Sequence, residues 1–570
     1  MKRDIKDLLI VGAGPAGIAA SMFASKLGLT HTVVERRSGL HRHPQAHVIK
    51  TRSLEILRRF GVDAAIHAAG TPVEHQRFTT WCTTLCGPEY GRIDLLGRKG
   101  PCDRFFSVSP SYPANLSQNK LEPILYDCAK ALGGGTFLFD TECLSATTQG
   151  DHAVATLRCN DKVYEEHARF IIAADGAASG VRAGLGIDFE GPNALAQFCA
   201  VHLEADFTPL VQHMPGVLYW VLNPEISGVF IVHDMKTTQV FMFPYDPKKT
   251  DKASFTTAYC ETLVRSAIGC DHPFRVSNVD TWTMSAQVAE EYRSDRVLLA
   301  GDAAHRFPPT GGLGLNTGLQ DINNLMWKLK FVIEGRAPIE LLDTYTRECR
   351  PVAQRNCQRS AENHERMARV EEIIGVSEDP VAFEASIADL FSENGRQRRR
   401  DLQQALLEQL PHFAYLDVEM APQYVVGAFG SSLASELPPL MTKEGYTPGL
   451  SPGSGLPHFE VETGVSSLDV LAFDAFTLFV SSTFQRAWSD GLQAAPDLMD
   501  MVRIYPVSEP FRHKWDRLCN MEDVAVLVRP DGHIGWVFPA SCEKKTEQLR
   551  VALDVILQKQ AADLHATAPA

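Results

Sequence analysis

The stretch from Asp7 to Arg37 constrains the fold more than any other part of the chain. An apolar run at residues 8–11 leads into GAGPAG at residues 12–17, which fits the pattern G-x-G-x-x-G, and an alanine-rich segment follows. A second apolar run ends in Glu35, 23 residues after Gly12. In such a strand–helix–strand unit the glycines admit a pyrophosphate to the helix N-terminus, and the acid binds ribose hydroxyls. The stretch therefore predicts a Rossmann-type unit for FAD or NAD, because an acid at this position suits an unphosphorylated ribose.

A second stretch, Arg296–Asn324, predicts a strand, a loop and a helix. Apolar residues 297–300 lead into Gly301-Asp302, then a loop with Pro308-Pro309 and two glycines, and a helix that begins near Leu315. The strand end presents the Asp302 carboxylate to a hydroxyl-bearing ligand, and the glycines let the backbone approach a flat ring. The helix start offers unpaired N–H groups and a partial positive charge. A reduced flavin, which is anionic at its pyrimidine side, is such a ligand.

A third stretch, residues 171–182, reads IIAADGAASGVR and predicts a buried strand that ends in Asp175-Gly176. In this order and spacing, the three stretches resemble the class A flavoprotein aromatic hydroxylases over residues 7–360. Four shorter stretches resemble the phenol hydroxylase branch of that family: Tyr90–Ile93, Gln118–Leu125, Val217–Val221 and Leu527–His533.

The resemblance implies a fold of class α/β + β with three parts. A Rossmann-type, glutathione-reductase-like FAD domain would take residues 1–188 and 293–425, the second segment holding the Gly301-Asp302 motif and a helical stretch. An antiparallel-sheet substrate domain would take residues 189–292. Alternating runs there predict strands at Phe198–Asp206, Val217–Leu222, Gly228–His233 and Gln239–Pro244.

Residues 446–570 would form a thioredoxin-like C-terminal domain, with a linker at 449–455 near its start. Its cysteines, Cys519 and Cys542, are too far apart for a dithiol motif, so we expect a structural or dimer-forming role. The family usually has arginine where Gly455 stands, which leaves one local contact unassigned.

The resemblance also implies an activity. NADPH, or NADH, would reduce bound FAD, and O2 would then add to form a flavin hydroperoxide. Its outer oxygen would hydroxylate a small phenolic or other aromatic substrate, ortho to the hydroxyl group. No second G-x-G-x-x-G is present for the nicotinamide nucleotide, and in the family it binds transiently near the motif at residues 175–176. The family further implies a homodimer.

Other functions remain open on the residues alone. The chain could hydroxylate a larger aromatic secondary metabolite, transfer electrons through the flavin without inserting oxygen, or bind and sense as a non-catalytic flavoprotein. The Pro308-Pro309 loop and the C-terminal resemblance favour a hydroxylase. A flavin halogenase is disfavoured, because the motif W-x-W-x-I-P is absent and Trp282-Thr283-Met284 breaks it.

Hydroxylation of a phenol needs a base near the hydroxyl group, because the phenolate is the stronger nucleophile. His47 is the candidate, since it lies in the loop where the resembled branch places its substrate-activating polar residue. An unperturbed histidine has a pKa of about 6.5, which suits this task at neutral pH. Asp234 and His233 are the alternatives. Pro308 is predicted to shape the loop over the oxygen-reacting edge of the flavin.

The same motifs indicate which residues bind FAD. Arg52 follows the family pattern P-x-A-x-x-x-x-R-x-x-E and would reach the pyrophosphate, with a solvated helix arginine as the alternative. Gln118 would contact the phosphoribityl chain or, alternatively, cap its helix. The predicted cofactor-binding residues are Gly12, Gly14, Pro15, Ala16, Gly17, Glu35, Arg36, Gln45, Arg52, Gln118, Asp175, Asp302, Pro309, Gly312, Gly314, Leu315 and Asn316.

The predicted substrate sheet is rich in aromatic residues. Aromatic residues in strands usually pack in a core, but this sheet would cover the flavin ring, so we expect some of them to line an apolar pocket. The predicted pocket residues are Tyr219, Trp220, Phe230 and Phe243.

Charge and hydropathy exclude several kinds of partner. A net charge of −14 argues against nucleic acid, and the one basic cluster, Arg396–Arg400, is predicted to be a solvated helix face. No run approaches the roughly 18 apolar residues of a membrane helix. The first strand follows the start too closely for a signal peptide, so we expect a cytoplasmic protein with no membrane partner.

Metal sites and disulfides are not expected. His41, His43 and His47 lie within seven residues but lack the spacing of metal ligands. The 13 cysteines are scattered and form no C-x-x-C, which predicts free thiols rather than disulfides or zinc.

Overall fold

A computed structural model of the chain describes residues 5–96, 108–413, 416–420, 422–430, 441–442, 445–508, 515, 524–539 and 541–559. The strands of its three largest sheets are, in chain order, β1 (Lys6–Val11), β2 (His31–Val34), β3 (Phe78–Cys82), β4 (Glu89–Asp94), β5 (Gly135–Leu138), β6 (Thr141–Gln149), β7 (His152–Cys159), β8 (Lys162–Ala173), β9 (Ala196–Glu204), β10 (Gly216–Leu222), β11 (Ser227–Asp234), β12 (Thr238–Tyr245), β13 (Arg275–Met284), β14 (Arg293–Ser294), β15 (Val297–Leu299), β16 (Phe476–Ser481), β17 (Val502–Val507), β18 (Val524–Val528) and β19 (Ile534–Pro539). The α-helices are α1 (Pro15–Lys26), α2 (Thr51–Arg58), α3 (Asp63–Ala69), α4 (Gln118–Leu132), α5 (Gly180–Gly184), α6 (Thr208–Val211), α7 (Thr257–Ile268), α8 (Gly314–Ile333), α9 (Asp343–Ile374), α10 (Pro380–Phe391), α11 (Arg396–Leu407), α12 (Leu410–Phe413), α13 (Leu416–Met420), α14 (Gln485–Gln493), α15 (Pro496–Met499) and α16 (Lys545–Ile556).

The first sheet has eight strands and carries all three sequence motifs. Its main path runs β14-β15-β8-β1-β2-β5, and the pairings from β15 to β5 are parallel. β6 and β7 extend it as antiparallel strands beside β8. The central strands are apolar without alternation and almost wholly buried, as parallel strands with both faces covered are expected to be. Because residues 8–11, 170–173 and 297–299 run side by side, the motifs that follow them meet at one edge of the sheet.

The second sheet has seven strands in the order β13-β9-β12-β11-β10-β3-β4. All pairs are antiparallel except β10 with β3. The four strands predicted between residues 198 and 244 are present as β9 to β12. β3 and β4 come from residues 78–94, so the sheet also draws on chain outside the range 189–292. One face packs with α7 around an apolar core, which leaves the other face to cover the edge where the three motifs meet.

The C-terminal part has a four-stranded sheet in the order β17-β16-β18-β19. β16 and β17 are parallel, and the other two pairs are antiparallel. α14 lies between the parallel strands in the chain, and α16 follows the last strand, which is the connectivity of a thioredoxin-like sheet. Cys542 is a free thiol, and Cys519 lies outside the described residues.

A buried cluster of four charged side chains joins this C-terminal part to α8 and α9. Arg529 donates to both carboxylate oxygens of Glu348 at 2.8 and 2.9 Å, and its Nε donates to Asp531 at 3.0 Å. Lys328 Nζ donates to Glu348 at 2.8 Å, and all four side chains are fully buried. Burial alone would raise the pKa of Glu348, but Arg529 and Lys328 lower it to about 2. We call these four residues the Arg529 cluster.

The prediction of a solvated face for residues 396–400 is wrong in part. Arg398 donates to the carbonyl oxygens of Ile373 and Ile374 at 2.7 and 2.8 Å, and Arg399 binds the carbonyls at the end of α10. The last carbonyls of a helix have no partner within that helix, so a nearby guanidinium satisfies them. The basic cluster therefore holds three helix ends together.

The prediction of free thiols is also wrong at one pair. Cys86 and Cys270 form a disulfide, whereas nine other described cysteines are free. The loop after β3 brings Cys86 beside the end of α7, where its backbone N–H donates to Ile268 O at 3.0 Å. The two cysteines are 184 residues apart in sequence, so spacing gave no sign of the pair. Within the described residues, no helix is both long and apolar enough to cross a membrane.

Candidate active site

A cavity of about 1450 Å³ lies between the motif edge of the parallel sheet and the open face of the seven-stranded sheet. The turn after β1, the segment after β8 and the loop after β15 form one side. Residues of β9 to β13 form the other side. Of the predicted site residues, those on its wall are Gly12, Gly14, Pro15, Ala16, Glu35, Arg36, Gln45, His47, Gln118, Asp175, Trp220, Asp302, Pro308, Pro309, Gly312, Gly314 and Leu315.

The three glycines of the turn between β1 and α1 serve two different purposes. Gly12 has φ +102°, and a Cβ there would stand 2.2 Å from Ala174 O. A Cβ on Gly17 would stand 1.9 Å from Gly12 O, whereas one on Gly14 would meet nothing within 4 Å. Gly12 and Gly17 are thus required by close backbone packing. Gly14 leaves open space at the start of α1, where a pyrophosphate approaches in a dinucleotide fold.

This difference leads to a prediction. Gly14→Ala is expected to keep the thermal stability of the protein but to weaken FAD binding by roughly 5- to 150-fold, since crowding a close contact costs about 1–3 kcal/mol. Gly17→Ala is expected to lower the unfolding temperature itself. FAD release followed by flavin fluorescence, together with thermal unfolding of each variant, separates the two effects. Equal losses of stability in both variants would contradict the assignment of Gly14.

Glu35 closes the dinucleotide end of the cavity. One carboxylate oxygen accepts from Ala13 N at 2.8 Å, and the other accepts from Arg37 N at 2.9 Å. Burial alone would raise the pKa of Glu35, but the hydrogen bonds from Arg37 and Ala13 lower it. The carboxylate is therefore ionised and fixed at the end of β2, ready to accept from ribose hydroxyls.

The middle of the cavity is lined by the 41–47 loop and the start of α4. Gln118 N donates to Ala46 O at 2.8 Å, and the Gln118 side chain donates to Glu122 at 2.7 Å. Glu122 also accepts from His41 N at 2.8 Å. The buried Glu122 thus holds both Gln118 and the 41–47 loop against the cavity. At the neighbouring wall, Asp175 accepts from Ser179 Oγ at 2.6 Å and from Val181 N at 3.2 Å, which fixes the turn into α5.

The loop between β15 and α8 forms the remaining wall on this side. The Asp302 side chain is open to the cavity, yet the enclosing protein desolvates it and raises its pKa, against the opposing charges of His305 and Arg306. Gly312 has φ +63°, and a Cβ there would stand 2.9 Å from the Val48 Cβ. Glycine at this position therefore lets the loop lie flat against the segment that precedes α2.

Three predicted FAD contacts lie elsewhere. Gly17 is buried in the α1 packing. Asn316 uses its side chain to accept from Lys50 N at 2.8 Å and to donate to Val48 O at 2.9 Å, so it ties α8 to that segment. Arg52 pairs with Glu55 at 2.6 Å and donates to Met420 O at 3.3 Å, away from the cavity wall.

The position of Arg52 has a local cause. Gly455 lies directly against its guanidinium group, and a Cβ on Gly455 would stand 2.6 Å from Arg52 Nη2. In this structure Arg52 therefore does not line the cavity, and it is not a solvated arginine either, since its side chain is only 12% exposed. It contacts the C-terminal part instead.

Three of the four predicted pocket aromatics face the wrong side of the sheet. Tyr219, Phe230 and Phe243 are buried in the core that packs on α7, and the Tyr219 hydroxyl donates to Met214 O at 2.9 Å. Trp220 alone of the four lines the cavity. Side chains alternate between the faces of a strand, so the cavity side takes residues two apart. It is formed by Phe198, Ala200, His202, Leu218, Trp220, Leu222, Val229, Ile231, His233, Val240, Met242 and Pro244.

His47 lies on this wall and is held by a chain of hydrogen bonds. Its Nδ1 is 2.6 Å from Asn115 Oδ1, Asn115 Nδ2 donates to Thr71 Oγ1 at 2.8 Å, and Thr71 Oγ1 donates to His233 O at 2.8 Å. Because Thr71 gives its proton to a carbonyl, it accepts from the Asn115 amide, and Asn115 Oδ1 must accept from His47. His47 therefore carries a proton on Nδ1, which leaves Nε2 as the basic nitrogen.

The surroundings of His47 keep it neutral. Burial lowers the pKa of His47, and Lys50 lowers it further, against the opposing hydrogen bond with Asn115. The His233 ring stands edge-on to it with the centroids 5.1 Å apart. Burial, and then the repulsion that a protonated His233 would meet from protonated His47 or His202 and from Lys120, bring the pKa of His233 well below its ordinary value.

Asp234, the other predicted catalytic residue, lies away from the cavity wall. Its carboxylate is 3.5 Å from Lys120 Nζ and accepts from Lys236 N at 2.9 Å, in a turn at the sheet edge. His233 lies on the cavity side because it is two residues from Ile231 and four from Val229, which also line the cavity. In this structure Asp234 is therefore not among the residues that line the cavity with His47 and His233.

Sequence reasoning missed Asn115 and Thr71, which hold His47, and the cavity residues His43, His202 and Asp280. Asn115 and Thr71 are distant in sequence from His47 and carry no motif. The alternation of side chains along β9 could have identified His202 as a residue on the cavity face. Among the described residues, no group of three or more His, Cys, Asp or Glu side chains is arranged to hold a metal ion.

The residues present fit FAD. Glu35, the open space at Gly14 and the Asp302 carboxylate all line this one cavity, and they suit the adenosine ribose, the pyrophosphate and the ribityl chain of FAD respectively. The N-terminus of α8 meets the same cavity at Gly314 and Leu315, where it favours negative charge.

Comparison with known proteins agrees with this geometry. The family described as FAD binding domain matches residues 6–360, and the family described as aromatic-ring hydroxylase, C-terminal, matches residues 450–559. The 2,4-dichlorophenol 6-monooxygenase of Delftia acidovorans is 30% identical over 97% of this chain and 98% of its own length. A putative polyketide hydroxylase of Streptomyces halstedii is 30% identical over 96% of this chain and 97% of its own. The crystal structure of the flavin-dependent monooxygenase PieE with FAD and substrate has a TM-score of 0.90 at 30% identity, covering 98% of this chain and 100% of that one.

Proposed function

Because the chain belongs to the family of FAD-dependent aromatic-ring hydroxylases, we propose that it uses NADPH or NADH and O2 to hydroxylate a phenolic substrate ortho to its hydroxyl group. Bound FAD, once reduced and exposed to O2, supplies the electrophilic oxygen atom. The chain itself must bind the aromatic ring, remove the phenol proton and keep water out.

His47 carries the proposal, because it offers a base on the wall of the cavity that also holds the FAD motifs. Its Nε2 is unprotonated in the neutral form, and its lowered pKa keeps that form dominant at pH 7. Deprotonation of the phenol raises the nucleophilicity of the ortho carbon, which is the change that the reaction requires. Asn115 and Thr71 act as positioning residues, since they fix the tautomer and ring orientation of His47.

The loop between β15 and α8 would keep water away from the reacting oxygen atom. Pro308 is buried on the cavity wall beside Pro309, and rigid apolar groups there would exclude water from the reacting oxygen. The N-terminus of α8 would stabilise negative charge on the reduced ring by about 0.3–2 kcal/mol.

The test is turnover by the purified FAD-bound protein with NADPH or NADH, a panel of phenols and ¹⁸O2. We expect at least one phenol both to accelerate oxidation of the nicotinamide nucleotide and to yield an ortho-diol that contains one ¹⁸O atom. Peroxide is quantified in parallel, so that wasted reducing equivalents are counted. Substrate turnover without ¹⁸O in the product would instead indicate a flavin oxidoreductase that inserts no oxygen.

A second candidate is hydroxylation of a larger aromatic metabolite, as the name of the Streptomyces halstedii relative implies for that protein. The width of the cavity favours it, because residues from six adjacent strands line the sheet side. Multi-ring phenols therefore belong in the panel beside single-ring phenols.

A further inference from the structure

The sheet side of the cavity is much wider than one aromatic ring. Its lining residues come from the adjacent strands β13, β9, β12, β11, β10 and β3. Adjacent strands lie about 4.8 Å apart, so this side measures roughly 24 Å across. A single phenol held at His47 would leave most of it uncovered.

A second polar cluster lies on this side, apart from His47 and His233. His202 Nε2 is 3.6 Å from Asp280 Oδ2 on the neighbouring strand, and the His43 ring stands over His202 with the centroids 5.3 Å apart. His202 on β9 and His233 on β11 are separated by β12, which corresponds to roughly 10 Å across the sheet. One hydroxyl group cannot reach both clusters.

Aromatic side chains adjoin this cluster. Phe198 and Trp282 are register partners on β9 and β13, and their rings stack with the centroids 5.0 Å apart at an interplanar angle of 15°. Phe198 and His202 lie on the same face because they are four residues apart in one strand. The wall therefore offers an aromatic platform with a hydrogen-bonding group at its end.

The chemistry of the cluster selects one kind of substituent. Burial lowers the pKa of His202, against the charge of Asp280, so a neutral imidazole stands beside a carboxylate. The distance of 3.6 Å between His202 Nε2 and Asp280 Oδ2 is longer than a good hydrogen bond. It nevertheless leaves both atoms within hydrogen-bond reach of a single hydroxyl oxygen. A hydroxyl group there would donate to Asp280 and accept from His202, whereas a methoxy group or a halogen could do only part of this.

We propose that His43, His202 and Asp280 form a second substrate subsite, which binds a hydroxyl group remote from the one that His47 deprotonates. The proposal rests on the proposed function and narrows its substrate class to aromatics of more than one ring that carry at least two hydroxyl groups. His202 and Asp280 are then specificity-determining residues, with no part in the proton transfer itself.

The test is equilibrium binding to the oxidised, FAD-bound protein, followed through the absorbance of bound flavin. The probes are two matched pairs: 2-naphthol with 2,6-dihydroxynaphthalene, and 1-hydroxyanthraquinone with 1,5-dihydroxyanthraquinone. We expect the dihydroxy member of at least one pair to bind about tenfold more tightly, as a hydrogen bond to a charged group allows. His202→Phe and Asp280→Asn should remove most of that advantage and leave the monohydroxy Kd within about twofold.

Glu204→Gln, an exposed change two residues from His202 on the same strand, is the matched control and should bind all four probes as the parent does. If His202→Phe folds poorly, Asp280→Asn alone still tests the proposal, because Asp280 is exposed and its substitution should not affect folding. The proposal is overturned if neither dihydroxy probe binds more tightly than its partner, or if the advantage survives in both variants. Binding is measured without turnover, so these outcomes are independent of the ¹⁸O experiment.

Discussion

Replacing His47 by glutamine is expected to reduce kcat/KM for the phenol by about 10²- to 10⁴-fold, the usual effect of losing a general base. FAD binding should persist, because the His47 side chain hydrogen-bonds to Asn115, which is not one of the predicted FAD-binding residues. Reduction of the flavin by NADPH or NADH should also persist, so that the variant consumes the nicotinamide nucleotide and releases peroxide instead of product. Product and peroxide, measured together at saturating substrate, distinguish loss of the base from loss of the cofactor.

The pH dependence of the parent enzyme provides an independent check on His47. The neutral form of His47 is the base, and the pKa of His47 is lowered. We therefore expect kcat/KM to stay constant as the pH falls through about 6.5, the pKa of an unperturbed histidine, and to decline only at a lower pH, near the lowered pKa of His47. Asn115→Leu should move this acid limb, because it removes the partner that stabilises the protonated ring. His213→Gln, at an exposed histidine outside the cavity, should leave the profile unchanged. An unchanged profile in Asn115→Leu would remove the basis for assigning His47 as the base.

Arg529→Met is expected to destabilise the protein by about 3–5 kcal/mol, because it leaves Glu348 and Asp531 buried with only Lys328 to balance them. Arg503→Met is the matched control, since Arg503 forms an exposed ion pair with Asp474 and such pairs contribute little. Urea unfolding of both variants, followed by tryptophan fluorescence and by FAD release, measures the difference. Equal midpoints for the two variants would show that the Arg529 cluster contributes no more than a surface pair.

The same cluster predicts how stability changes with acid. The pKa of Glu348 is about 2 in the folded protein, below its unfolded value of about 4.3. Its stabilising contribution is therefore complete above pH 4.3 and is lost progressively as the pH falls toward 2. The difference between the parent and Arg529→Met should shrink over that interval.

Much of the fold could be predicted from the sequence because its signals are local. The glycine run at 12–17, the alternating strands of residues 198–244 and the helix near Leu315 each depend on neighbours within a few residues. The three motifs then meet because parallel strands end at a common edge. Local signals cannot show that β3 and β4, from residues 78–94, join the seven-stranded sheet, because their partner strand β10 lies more than 100 residues further along the chain.

The errors at the site have equally physical causes. Aromatic content alone cannot tell the two faces of a strand apart, so Tyr219, Phe230 and Phe243 were assigned to the cavity when the register places them in the core. Arg52 follows a family pattern, but its contact depends on Gly455, some 400 residues away. Hydrogen-bond chains such as the one that holds His47 link residues from separate elements, and only the folded arrangement reveals them.

The origin of β3 and β4 has a consequence for recombining this chain with its relatives. All five residues of β3 pair with β10, and Trp220 of β10 lies opposite Trp81 of β3. A chimera that exchanges residues 189–292 alone would join a foreign β10 to the resident β3 and expose mismatched side chains along that seam. An exchange meant to transfer substrate preference must therefore carry residues 78–94 as well, a range that includes Cys86, whose disulfide partner Cys270 lies in the exchanged segment.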